Sequence, residues 1–158
     1  MAASRRARPA LTVAGSGRDR LAIATSACVE ETLRAHLLAG LDAALPAKVG
    51  SWDRRPLAVG LRAAGGRLIG GLTGHTLWGW LVVELLWIDP AARGAGHGRR
   101  LIAAAEQEAA RRGCHHSRVN TYSFQAPGFY ERCGYAQVAT LDDCPRGHRR
   151  HSYAKALA

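Results

Sequence analysis

The run Arg93-Gly94-Ala95-Gly96-His97-Gly98 sets three glycines directly ahead of a stretch with helical periodicity. Without a Cβ, glycine lets a ligand approach the backbone closely, and the first N–H groups of a following helix have no intrahelical acceptor. Together with the helix macrodipole they make an anion site, for which phosphate is the natural occupant. A tight strand-to-helix turn is the plainer reading of the same residues. The run is not a Walker A sequence, because no Gly-Lys-Ser/Thr closes it, and Arg99 stands where the third glycine of G-x-G-x-x-G would fall. A second candidate is Glu84, an isolated carboxylate in the apolar run Trp80 to Ile88. An unpaired buried charge is costly, so Glu84 needs either a partner or a cavity. Burial would make it a better proton acceptor, hence a general base; an arginine across the sheet would make it a structural partner. Cys144, His148 and His151 lie close in sequence but lack a fourth ligand at sensible spacing, so no metal site is expected.

These residues depend on the elements around them. Val29, Leu33, Leu37, Leu38, Leu41 and Leu45 recur at helical steps from Cys28 to Leu45, before Pro46. Leu21 to Thr25 reads as a first strand. Pro56 to Ala63 and Arg67 to Leu72 flank Gly65-Gly66, a hairpin signal. Trp80 to Ile88 reads as a central strand buried on both faces and ended by Asp89-Pro90. Leu101, Ile102, Ala105 and Ala109 form one stripe of a helix that stops at Gly113. Ser117 to Tyr122 is a strand, Gln125 to Cys133 a short helix ahead of Gly134, and Tyr135 to Leu141 and His151 to Leu157 are the last strands. The order predicts an α/β (α+β) fold with a mixed, largely antiparallel sheet flanked by helices.

A chain of 158 residues suits one domain, here residues 11–158, with residues 1–10 a disordered basic arm. The net charge of +10 is almost wholly arginine, since Lys48 and Lys155 are the only lysines. The arginines are scattered without interleaved aromatics, which argues against specific nucleic-acid binding, although a positive surface would attract a polyanionic ligand. The four cysteines include no C-x-x-C pair and read as reduced thiols. Neither a secretory signal nor a membrane-spanning window is apparent, which predicts a cytoplasmic protein with no membrane partner.

Arg93, Gly96 and Gly98 satisfy Q/R-x-x-G-x-G/A, and Phe129-Tyr130-Glu131-Arg132-Cys133-Gly134-Tyr135 satisfies F/L-Y-x-x-x-G-F/Y. The two motifs, in this order and on these elements, resemble the GNAT superfamily of N-acetyltransferases. The likeness covers Pro56 to Leu157. It implies a six- to seven-stranded sheet with about four helices, and direct transfer of an acetyl group from acetyl-CoA to a primary amine in a ternary complex. By this resemblance the backbone of Leu86, Trp87 and Ile88 would pair with the cofactor's pantetheine arm. Arg93, Gly94, Ala95, Gly96, His97, Gly98 and Arg99 would hold its pyrophosphate. Tyr130 falls at the family's acid position, to protonate the leaving thiolate. Ser123 stands where the family often has a cofactor-contacting asparagine. Some members carry a carboxylate base near the position of Asn120, whose amide cannot accept a proton, and this directs attention to Glu84. The segment from Trp78 through the second motif is similar to a bacterial subgroup of small-molecule acetyltransferases, kasugamycin-type aminoglycoside enzymes among its relatives. A protein α-amine or lysine acceptor is the rival, and a non-catalytic CoA-binding regulatory domain is the alternative of another class. Dimers are common in the family, so a homodimer is among the expected assemblies.

Overall fold

The computed structural model describes residues 11–12, 23–46, 49–50 and 52–157. The arm expected at residues 1–10 lies outside them. Contacts divide the chain into two compact units, Met1–Pro46 and Ala47–Ala158. In the first, β1 (Leu11–Thr12) pairs antiparallel with β2 (Ile23–Ala24), and α1 spans Glu31–Ala43. Leu33, Leu37, Leu38 and Leu41 share one face of α1, as the periodicity predicted.

The second unit is a six-stranded sheet in the order β3-β4-β5-β6-β8-β7. Its strands are β3 (Arg55–Arg62), β4 (Leu68–Leu77), β5 (Trp80–Ile88), β6 (His116–Tyr122), β7 (Ala136–Leu141) and β8 (Arg150–Ala156). Every pairing is antiparallel except β5 with β6. Gly65 and Gly66, at φ +83° and +84°, turn β3 into β4 inside the Ala63 N to Arg67 O hydrogen bond, in a left-handed conformation that glycine adopts without strain. β4 runs five residues past the expected Leu72 because its ladder with β3 and β5 continues through Gly74 to Leu77; pairing on both sides overrides glycine's poor strand propensity.

The helices of this unit are α2 (His97–Arg111) and α3 (Pro127–Arg132), with a single 3-10 turn at Pro90–Ala92. The described residues thus hold three α-helices rather than about four. α2 packs on β3, β4 and β5. Ala105 and Ala109 are fully buried beside Leu101 and Ile102, and their short side chains let α2 lie close to the sheet. Leu57, Leu72, Leu81 and Val83 of the sheet belong to the same core, as do Val119, Tyr130, Tyr135 and Tyr153.

The strand expected to be buried on both faces is half-buried. Leu81 and Val83 lie in the core, Leu86 and Ile88 pack against it, and Leu85 and Trp87 are exposed. The two-residue alternation therefore slips between Val83 and Leu86. Gly74 pairs with Val83 and Thr73 with Leu85, so Glu84 is the extra residue of a β-bulge. Gly74 permits it, because an added Cβ there would run into the Val82 carbonyl.

Candidate active site

The bulge coincides with the end of the β5–β6 ladder. Those strands pair from Trp80↔His116 to Val83↔Val119 and no further. Beyond that point Glu84 to Ile88 and Asn120 to Tyr122 separate, and the sheet opens into a cavity of about 660 Å³. Glu84, Leu86, Ile88, Asn120, Phe129 and Tyr130 are among its walls. On the other edge of β5, Asp89 N donates to Ile69 O. By the alternation of an antiparallel ladder, the backbone groups of Trp87 then face β4, and those of Leu86 and Ile88 face the gap. Arg93 Nε donates to Ile88 O at 3.0 Å.

A second cavity, of about 510 Å³, lies over the glycine loop and shares Ile88, Arg93, Gly98 and Phe129 with the first. Gly96 is the N-cap of α2, at φ +76°, and no side chain caps the helix. The first-turn N–H groups are therefore left for water or a ligand. Arg93, His97, Arg99 and Arg132 line the same cavity, so charge and free donors coincide. His97 Nδ1 is buried there with no hydrogen-bond partner among the described residues. Arg99 Nη2 donates to Arg132 O at 3.3 Å, tying the start of α2 to α3. An Ile88 carbonyl, a positively charged cradle and an open strand edge between them suit a long ligand with phosphate at one end and amide groups along its length.

Tyr130 lines the gap. It is 8% exposed, packed edge-on against Phe129 at 5.0 Å and Tyr135 at 6.0 Å. Its hydroxyl has no hydrogen-bond partner among the described residues. Burial, with a smaller contribution from Cys133, pushes its pKa up to about 12, so it is a protonated donor throughout the neutral range.

Glu84 is not the buried carboxylate that its apolar neighbours suggested. The bulge turns it outward, and its side chain is 43% exposed. It is also not unpaired: Oε1 lies 2.8 Å from His75 Nδ1 and 3.1 Å from Arg54 Nη2. An arginine partner and a cavity wall, weighed as alternatives from the sequence, are both present.

Residues 27–135 match the acetyltransferase (GNAT) family. The chain is 51% identical to blasticidin-S acetyltransferase from Streptomyces morookaense over 109 residues, which span 66% of this chain and 80% of that one. It is 39% identical over 101 residues to acetyltransferase Atu2258 from Agrobacterium fabrum (strain C58), covering 64% and 74% of the two chains. A crystal structure of an acetyltransferase from Bacillus cereus superposes with a TM-score of 0.73 at 28% identity, covering 80% of this chain and 90% of that one. The chain belongs to the GNAT acetyltransferase family.

In this acetyltransferase the sequence-predicted residues fall into three places. Arg93, Gly94, Gly96, His97, Gly98 and Arg99 line the loop cavity, and Ala95 lies exposed in the same loop. Leu86, Trp87, Ile88, Glu84 and Tyr130 line the gap. Ser123 lines neither: its Oγ accepts from Arg149 N at 3.1 Å and its N–H donates to Arg149 O at 2.8 Å, fastening the β7–β8 connection. Asn120 does reach the gap, with Oδ1 accepting from Ser152 Oγ at 2.7 Å. His75, Arg54 and Arg132 were not legible as site residues. A histidine on the strand preceding an isolated glutamate was the one available signal, and only the register brings them together.

Proposed function

We propose that this enzyme acetylates a primary amine of a small-molecule antibiotic, with acetyl-CoA as donor. The observation that carries the acceptor class is the 51% identity to a protein that bears the name blasticidin-S acetyltransferase, over 80% of its length. Supporting the donor are the uncapped α2 N-terminus, the arginines beside it and the open edge of β5. These residues fit a phosphate-bearing thioester whose arm lies along Leu86 and Ile88.

The first-turn N–H groups of α2 bind the pyrophosphate, and Arg93 and Arg99 add charge to the cradle. Acetyl-CoA supplies a thioester. Glu84 takes a proton from the acceptor's ammonium at the mouth of the gap, releasing the neutral amine that attacks the acetyl carbonyl. The C–N bond forms as the C–S bond breaks, and the proton on Glu84 passes to water. Tyr130 donates a hydrogen bond to the departing sulfur. Full transfer from a phenol held at about 12 to a thiolate of ordinary pKa, ~8.5, is uphill. Tyr130 thus acts chiefly by stabilising the developing charge, and the thiol proton comes from the acceptor's nitrogen or water.

A thiol-release assay with acetyl-CoA and blasticidin S, kasugamycin, a deoxystreptamine aminoglycoside or a lysine peptide tests the acceptor class. Release with an antibiotic, and a product carrying one added acetyl group by mass spectrometry, is the expected result. Release with the peptide alone, or none while the cofactor binds, overturns it.

A further inference from the structure

Glu84 does not stand alone at the mouth of the gap. His75 lies on β4 opposite Val82, 8% exposed, in a strand paired on both sides. Arg54 directly precedes β3. The two come from separate segments and meet on one carboxylate oxygen, Oε1, which lies 2.8 Å from His75 Nδ1 and 3.1 Å from Arg54 Nη2. The other oxygen, Oε2, has no hydrogen-bond partner among the described residues. Arg54 Nη2 is also 3.1 Å from His75 Nδ1, so the tautomer decides the network. An unprotonated Nδ1 would set its lone pair against an ionised carboxylate at 2.8 Å, a repulsive contact. With hydrogen on Nδ1, both His75 and Arg54 donate to Oε1, and the Arg54 Nη2 to Nδ1 approach is then a contact between two donors that share one acceptor rather than a hydrogen bond.

We propose that His75 is a positioning residue for the acetyl-transfer reaction: its Nδ1–H, with Arg54, anchors Glu84 through Oε1 so that Oε2 is presented to the acceptor's ammonium. The bulge explains the need for an anchor. An extra residue in a strand has no ladder partner to hold it, and an exposed glutamate left to itself samples many rotamers. A buried imidazole on the neighbouring strand removes that freedom through one carboxylate oxygen and leaves the other for the acceptor. The proposal rests on the reading of Glu84 as the residue that takes the acceptor's proton.

Steady-state kinetics with acetyl-CoA and blasticidin S give the first test. His75→Leu should lower kcat by roughly tenfold to a hundredfold, the cost of misplacing a reacting group, with the KM for acetyl-CoA unchanged. His75→Asn, whose amide can donate from nearly the place of Nδ1, should restore most of it. In a Glu84→Gln background His75→Leu should cost nothing further, because a residue acting through Glu84 is not additive with its loss. Unaltered kcat in His75→Leu, or a loss additive with Glu84→Gln, overturns the positioning role. Full activity in Glu84→Gln alone instead overturns the proton-acceptor reading beneath it. Nitrogen-15 NMR of the His75 ring gives a test independent of any acceptor. Hydrogen on Nδ1, perturbed by Glu84→Gln, is expected, and a neutral ring protonated only on Nε2 rules the anchor out.

Discussion

Tyr130 carries its chemistry through burial. Packed among Phe129, Tyr135 and Tyr153, the phenol loses hydration that its anion needs, and the neutral donor is what remains. Tyr130→Phe keeps the ring packing and deletes the donor. It should reduce kcat by ~10²-fold, the lower end for a positioned acid, with little change in coenzyme A affinity. The wild-type kcat profile should also show no falling limb below about pH 9, because a pKa of about 12 lies well beyond it. A limb in the neutral range that disappears in Tyr130→Phe would contradict this, and full activity in the variant would reduce Tyr130 to packing. The same burial makes Tyr130 a small liability for stability in strong alkali. Its native pKa lies above the ordinary ~10, so the native state holds a proton that the unfolded state releases, and stability falls as pH rises through that interval.

The glycine loop works as an element because its glycines serve different ends. Gly96 is required by its backbone: φ +76° is left-handed, and no heavy atom would meet a Cβ there within 4 Å. Gly98 is required by space, since a Cβ would lie 3.0 Å from Phe129 Cε2 and 3.5 Å from Ile88 Cδ1. Phe129 lines both cavities, so any side chain at Gly98 pushes on the wall between the phosphate cradle and the gap. Gly98→Val should therefore weaken coenzyme A binding more than tenfold, over ~1.4 kcal/mol. Gly96→Ala should instead destabilise the fold by about 1–2 kcal/mol through φ alone. Isothermal titration and thermal melting separate the two effects, and unchanged coenzyme A affinity in Gly98→Val would remove the loop from the site. The β4–β5 bulge is the matching device on the other side of the gap. Gly74 allows Glu84 to stand out of the ladder, and the slip in alternation keeps Leu86 and Ile88 on the core while β5 leaves β6.

For the whole molecule, the net charge of +10 is a property of association rather than of fold. Coenzyme A is polyanionic, and the cradle that receives it is lined by Arg93, Arg99 and Arg132. Raising ionic strength from ~0.01 to ~0.15 M shortens the screening length from ~30 to ~8 Å. It should lower kcat/KM for acetyl-CoA while leaving kcat at saturation nearly constant. A kcat/KM insensitive to salt would show that the overall charge does not steer the cofactor. Among the described residues five arginines pair with carboxylates instead: Arg54 with Glu84, Arg67 with Asp89, Arg149 with Asp142, and Arg111 and Arg112 with Glu108. The Arg112 hydrogen bond holds the Glu108 carboxyl below its ordinary range despite some opposing desolvation, and Arg112 also reaches Pro56 O at 2.9 Å, joining the end of α2 to β3.

What the sequence by itself determined was local. The Gly65-Gly66 turn, the buried stripe of α2 and the glycine loop before it follow from conformational freedom and periodicity within a few residues, and the two motifs led from there to the family. Tertiary structure decided everything that depends on pairing between distant segments. Glu84 reads as buried because its sequence neighbours are apolar, yet the register with Gly74 makes it the bulged residue and turns it outward. Its partners lie 9 and 30 residues away, on β4 and ahead of β3, a separation that no periodicity spans. Ser123, aligned with a cofactor contact, is instead held by Arg149, because the β7–β8 connection folds back onto the end of β6. The gap itself exists only because the β5–β6 ladder stops at Val83↔Val119, and the point at which two strands cease to pair is a property of the sheet rather than of either strand.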